Sequence, residues 1–293
     1  MTGPARLDAD LLRDFPMPHL PEDGDKEERG RLLIVGGSRE VPGAALLAGL
    51  AGLRAGAGKL QIATGASIAV ALGVAIPEAR VVGLVEEKDD CFAESAAAPL
   101  LQLAAEAQAL VIGCGLQHGP ALDGLLDRLL AGAPNCPMVL DATALGSLAE
   151  RAGAVRARRG GTMLLPHVRE MASLLDCAPE EVEIDPLLAV RRAAETYQAV
   201  ALVKGRFSFI AAPDGRAFRF EGGGVGLATS GSGDVLAGIV GGLAARGADP
   251  LTATLRGVWL HGEAGRILTE RVGRVGFLAR EIPGLIPELL GAA

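Results

Sequence analysis

The chain has 293 residues, a formal net charge of −7, and 49% apolar against 22% charged residues. That balance supports a large folded core and excludes a disordered chain. The negative charge, with aromatics at 3% and one Trp and one Tyr, argues against a base-stacking nucleic-acid surface.

Residues 1–30 are polar and proline-bearing, with a charged run over 22–29, and are expected to form an N-terminal arm. From Arg31 the pattern changes. Leu32-Leu33-Ile34-Val35 is an apolar run ending in Gly36-Gly37-Ser38, and Pro42-Gly43 opens an Ala/Leu helix to about residue 54. A strand, a glycine turn and a helix in that order make a β-α unit, and the unit recurs. Further strands are predicted over 60–63, 79–84, 109–112, 138–140, 162–165 and 200–203, and helices over 96–107, 120–130, 145–152, up to 175, and 187–197. These strands are continuous apolar runs, which predicts a parallel sheet covered on both faces. Their ends carry Gly113-Cys114-Gly115, Asp141, Pro166-His167 and Lys204-Gly205, and in an open α/β sheet ligands bind at that edge. Residues 207–211 and 217–220 read as a hairpin turning at Asp214-Gly215, and helices over 232–246, 251–272 and 279–290 close the chain. No linker or repeat divides it, so one domain over 31–293 is expected.

Cys91, Cys114, Cys136 and Cys177 stand far apart with no histidine at ligand spacing, so neither a disulfide framework nor a zinc site is expected. No apolar run reaches ~18 residues and no signal pattern opens the sequence, which points to a soluble, cytoplasmic protein without a membrane partner.

The stretch from Gly226 to Gly238 carries the most information. Small residues end in Gly231-Ser232-Gly233, then Asp234 opens an apolar helix. Unpaired amides in a first helical turn suit an anion, and glycine lets it come close. Asp234 fits both a helix cap and a catalytic acid. A P-loop fails because Ser232-Gly233 stand where Lys-Ser/Thr is required. The turn at Gly113 lacks the third glycine and the downstream acid of a dinucleotide fingerprint, and no Gly-x-Ser-x-Gly elbow occurs. His19 and His118 read as surface residues and His261 as a core or cleft-edge one, whereas His167 and Lys204 sit at strand ends where they could face a ligand or simply solvent.

Taken in order, Gly-Gly-Ser, Pro-Gly-Ala, Gly-x-Gly-Leu, Asp-Ala-x-Ala-Leu, Pro-His-x-x-Glu-Met, Lys-Gly and Gly-Leu-Ala-x-x-Gly-Ser-Gly-Asp-Val-Leu-Ala-Gly resemble the ADP/ATP-dependent NAD(P)H-hydrate dehydratase family. The likeness runs from about residue 31 to 290. It implies a ribokinase-like α/β fold, a three-layer sandwich with a mostly parallel central sheet and helices on both faces. It also implies a repair lyase: the ring hydroxyl of hydrated NADH or NADPH is phosphorylated from ADP or ATP, ADP being favoured, and phosphate is then eliminated. Magnesium is implied with few direct protein ligands, and so is a homo-oligomer. By the same match Asp234 is the base, with Gly231, Ser232 and Gly233 holding developing charge. Lys204, Gly205, Arg206 and Gly233 contact the nucleotide, and Ala44, Ala45, Gly115, His167 and Asp234 line the hydrate pocket. Arg169 and Leu165 stand where the family has a glycine and a threonine, Cys114 where it has a proline, and Thr143 where it has an acid. Gly222-Gly223-Gly224-Val225 replaces an Asn- and Pro-bearing approach. The same fold could serve a kinase of a thiazole or pyrimidine alcohol, or a silent nucleotide-binding homologue.

Overall fold

The run Leu32-Leu33-Ile34-Val35 has no polar residue because both faces of its strand are covered. Leu32 and Ile34 point into one apolar layer and Leu33 and Val35 into the other, all fully buried. The computed structural model describes residues 3–19, 25–87, 92–132 and 135–292; Cys91 and the start of the charged run, residues 22–24, lie outside them.

After a short strand, β1 (Ala5–Arg6), the chain alternates. β2 (Arg31–Val35) leads to α1 (Pro42–Arg54), β3 (Lys59–Gly65) to α2 (Ala66–Ala75), and β4 (Ala79–Leu84) to α3 (Ala97–Glu106). β5 (Ala109–Ile112) leads to α4 (Pro120–Gly132), and β6 (Met138–Leu140) to the short α5 (Thr143–Gly146) and α6 (Ala152–Arg156). β7 (Thr162–Leu164) precedes α7 (Val168–Leu175), α8 (Pro179–Ile184) and α9 (Pro186–Tyr197). β8 (Val200–Val203), β9 (Ser208–Ala211) and β10 (Ala217–Phe220) then precede α10 (Ser232–Ala245), α11 (Pro250–Arg271) and α12 (Ile286–Ala292).

Among the described residues the sheet has ten strands in the order β1-β10-β9-β8-β7-β6-β5-β2-β3-β4. It is parallel except where β9 runs against β8 and β10, as the predicted hairpin requires. Helices α1, α10 and α11 cover one face; α3 and α4 cover the other, joined by α7 and α9 over the β8–β9 end.

Two expectations need correction. The helix predicted over 145–152 is broken into α5, a 3₁₀ turn at Ala149–Arg151, and α6. The closing helix begins as a 3₁₀ segment, Ala279–Leu285, because Pro283 lies inside it and cannot donate to an α-helical ladder. Helix α2 had no predicted element. Its sequence, Ala-Ser-Ile-Ala-Val-Ala-Leu-Gly-Val-Ala, is apolar all round, while Leu72 is its one fully buried residue, so no 3.6-residue period marks it.

The N-terminal arm closes one edge of the sheet. β1 pairs parallel with β10, the Leu7 amide donates to Arg219 O at 2.8 Å, and Leu7 and Leu12 are buried. The buried Arg256 guanidinium donates to Phe15 O at 2.6 Å and Leu12 O at 3.0 Å.

Small residues bring α10 against α1 and the sheet. A Cβ on Gly238 would stand 2.1 Å from Ala48 O, one on Gly242 2.4 Å from Gly52 O, and one on Gly241 2.3 Å from Val111 Cγ2. That seating sets where the N-terminus of α10 meets the strand ends. Gly238→Ala is therefore expected to destabilise by roughly 1–3 kcal/mol, since the clash with backbone outweighs the ~1 kcal/mol propensity gain of alanine. Gly124→Ala in α4, where a Cβ meets nothing within 4 Å, should stabilise by up to ~1 kcal/mol. Chemical denaturation of both variants checks the pair.

Candidate active site

Because β2, β5, β6, β7 and β8 run parallel, their C-terminal ends emerge along one edge of the sheet. At that edge the chain needs left-handed backbone. Gly113 (φ 122°) follows β5, and a Cβ there would stand 1.8 Å from Asp141 O; Gly115 (φ 68°) is pressed against Ala44. Ala142, after β6, holds a positive φ of 48° without being glycine. Gly231 (φ 85°) is the left-handed residue before the first turn of α10.

Lys204, at the end of β8, donates to Asp141 Oδ1 at 2.7 Å. The pair lies beneath that first turn: a Cβ on Gly233 would be 3.6 Å from Lys204 Nζ and 3.8 Å from Asp141 Oδ2. Burial pulls the Lys204 ammonium down, but the Asp141 carboxylate, with Glu170 behind it, holds it above the usual lysine range, so it stays charged. Asp234 stands in the same cluster. Burial, and next the nearby negative Asp141, push its carboxyl up to about 6, against a thiol hydrogen bond from Cys114 and the charge of Lys204. Two carboxylates share one ammonium, and Asp141 makes the direct ion pair with it. Cys114 is fully buried; burial and then the charges of Asp141 and Asp234 hold its thiol well above the usual cysteine range, so it remains a donor.

The end of α10 faces this cluster. The Ser232 amide already donates to Thr229 O at 3.2 Å, and its hydroxyl lies 3.0 Å from His261 Nε2. The amides of Gly233 and Asp234 are first-turn donors with no partner expected inside the helix.

His167 caps α7. Its Nδ1 accepts from the amides of Arg169 (3.1 Å) and Glu170 (3.3 Å), while Glu170 Oε2 accepts from the His167 amide at 2.8 Å. It bridges to Lys204, whose amide donates to Pro166 O at 3.0 Å. Two cavities flank His167: one of 420 Å³ reaching Ala142 and Thr143, and one of 600 Å³ reaching Glu180 and Lys204. Exposed Arg169 lines both. Gly205 and Arg206 are exposed beside them, with the Arg206 guanidinium 5.4 Å from the Phe207 ring centre. Ala44 and Ala45 adjoin Gly115 and Gly37 but bury their side chains, so what they offer a ligand is backbone.

The structure thus gathers Asp234, Gly233 and Lys204, sets His167 beside Lys204, and sets Gly115 beside Ala44. Sequence reasoning did not single out Asp141 as the partner of Lys204, Cys114 against Asp234, or His261 on Ser232. For two of them the signal was position: Asp141 directly follows β6, and Cys114 lies two residues past β5. Among the positions that depart from the family's pattern, Thr143 donates to Leu116 O at 2.7 Å and Leu165 is fully buried. Gly223 and Gly224 both adopt positive φ. Among the described residues, no group of three His, Cys, Asp or Glu side chains stands together to hold a metal.

This site, on this sheet, defines a class. The fold is ribokinase-like: a ribokinase-like superfamily protein from Enterococcus faecalis superposes with a TM-score of 0.85 at 24% identity, covering 100% of this chain and 97% of that one. Within that class, the family model for NAD(P)H-hydrate dehydratase matches residues 32–288, and the chain belongs to that family. It is 46% identical to the ADP-dependent (S)-NAD(P)H-hydrate dehydratase of Xanthomonas campestris pv. campestris, over 99% of this chain and 98% of that relative. The crystal structure of the ADP/ATP-dependent NAD(P)H-hydrate dehydratase from Bacillus subtilis, co-crystallised with ATP/Mg2+, superposes with a TM-score of 0.85 at 28% identity, covering 100% of this chain and 99% of that one. The chain spans about half the length of the bifunctional NAD(P)H-hydrate repair enzymes it also matches.

The raised Asp234 carboxyl has a cost in stability. Between its ordinary value of 3.8 and about 6 the folded state binds the proton that the unfolded state has released, so stability falls as pH rises through that window. Asp234→Asn should therefore be more stable than the parent at neutral pH, by at most ~3 kcal/mol. The gap should close by about pH 4, and paired thermal melts across pH check it.

Proposed function

We propose that the chain dehydrates hydrated NADH and NADPH back to the dinucleotide, using the terminal phosphate of ADP. The observation that carries this reading is Asp234 in the first turn of α10, beside free helix amides and above the Asp141–Lys204 pair. The names of its relatives and its membership of the family supply the substrate class.

In this reading the ring hydroxyl sits against Asp234, which takes its proton as the oxygen attacks the terminal phosphorus. AMP leaves, and the phosphorylated hydrate then loses phosphate as the ring double bond forms. The Gly233 and Asp234 amides hold charge developing on the phosphoryl oxygens, fixed in place before reaction. Lys204 faces the same oxygens while Asp141 keeps it in position. Gly205 and Arg206 line the nucleotide side, and Gly115, His167 and the start of α1 line the hydrate side. Gly231 supplies the left-handed turn that aims the helix, and Ser232 holds that turn. No protein cage for Mg²⁺ stands among the described residues, and the one strand-end acid near the phosphates, Asp141, is engaged by Lys204. When bound, Mg²⁺ would therefore ride on phosphate oxygens and water and neutralise their charge.

Incubation with ADP, Mg²⁺ and hydrated NADH should restore the reduced-nicotinamide absorbance band, faster than with ATP. Phosphate retained on a thiazole or pyrimidine alcohol instead, with no nicotinamide recovery, would overturn the reading. Asp234→Asn should lose turnover by at least ~10²-fold while ADP still binds; near-normal turnover would remove Asp234 as the base.

A base held near 6 also fixes the acid limb of kcat/KM at about that pH. Asp141→Asn removes the neighbouring charge that raises it, so the limb should move to lower pH. Cys114→Ala removes a hydrogen bond that lowers it, so the limb should move to higher pH. Rate–pH profiles of the two variants read both signs.

A further inference from the structure

The strongest observation that the proposed chemistry leaves unused is a buried histidine on the far side of the phosphoryl loop. His261 lies in α11, nine-tenths buried. Its Nε2 meets two atoms of one residue, Ser232 O at 3.1 Å and Ser232 Oγ at 3.0 Å. Ser232 is the first residue of α10, next to the Gly233 and Asp234 amides.

A carbonyl oxygen has no proton to give, so an imidazole nitrogen 3.1 Å from one must carry the proton itself. This selects the neutral Nε2–H tautomer, which donates to the carbonyl and shares that donor with the hydroxyl. The Ser232 hydroxyl is thereby held inward, toward α11, and the carbonyl is fixed where the first helical turn begins. With the Ser232 amide bound to Thr229 O, all three polar groups of the residue are engaged. The turn bearing the free amides and Asp234 cannot rotate without breaking one of these bonds.

We propose that His261 is a positioning residue of the phosphoryl-transfer site, which acts through Ser232 by holding the first turn of α10 in the orientation that aims its free amides. This deepens, and rests on, the reading of that turn as the anion hole. Burial, first, and the charge of Lys204 pull the His261 pKa down to about 4, against the Ser232 carbonyl bond, so the ring stays neutral at working pH. A plain core histidine would have no reason to place both its contacts on the residue that starts the phosphoryl loop.

Three measurements test this. Nitrogen NMR of the imidazole in the unmodified protein should show the neutral Nε2–H tautomer across the neutral range; an Nδ1–H tautomer would overturn the proposal. His261→Leu removes the donor and should lower kcat about tenfold, less than the ~10²–10³-fold loss when an anion-hole donor itself is deleted, with the ADP KM changed by no more than about twofold. His261→Gln, whose amide reaches the same place, should recover kcat to within about threefold of the parent. If His261→Leu lowers the melting temperature but leaves kcat intact, or if His261→Gln is as slow as His261→Leu, the residue is structural only. Should the protein release no NADH from its hydrate at all, the functional reading fails, while the tautomer result still decides whether His261 clamps Ser232.

Discussion

Asp141 and Lys204 meet at 2.7 Å across the ends of β6 and β8, and the charge balance at this edge of the sheet depends on that contact. An ammonium this enclosed needs a carboxylate close by, and a helix N-terminus set above an unpaired lysine would add its own partial positive charge to the same point. The pair settles both demands. It leaves a second carboxylate, Asp234, in the same enclosure, where burial and then the charge of Asp141 raise its proton affinity.

For that cluster to exist, α10 must arrive at the strand ends at close range, and glycine makes this possible. Gly238 and Gly242 let the helix lie on the backbone of α1, and Gly241 lets it lie on Val111. On its other side α11 holds the first turn through His261. The helix is thus fixed along its length by shape and at its tip by a polar bond, while its apolar body takes no part in the chemistry.

Much of this was legible in residue order. Fully buried parallel strands leave apolar runs that need no alternation, so β2, β5, β6 and β8 could be read directly, as could the hairpin turning at Asp214-Gly215. The glycine block before Asp234 announced a tight turn into a helix through local rules of backbone freedom. What stayed hidden was of two kinds. Helix α2 has an apolar exposed face, and β1 is two residues long within a charged arm, so neither carries a period. The other kind was pairing at a distance. Asp141 lies 63 residues from Lys204, and Ser232 lies 29 from His261; nothing local marks either pairing. Cys114, which stands where the family has a proline, is fully buried beside Asp234.

The pairing of β1 with β10 has a consequence for synthesis. Ala5 lies against Phe218, and Arg256 reaches back to Leu12 and Phe15. On the ribosome, β1 must wait unpaired until more than two hundred later residues have been made. Loop closure over such a span is slow compared with pairing of adjacent β-α units. The two residues of β1 are thus among the last strand residues to find their place, and until they do β10 presents an open strand edge to neighbouring nascent chains.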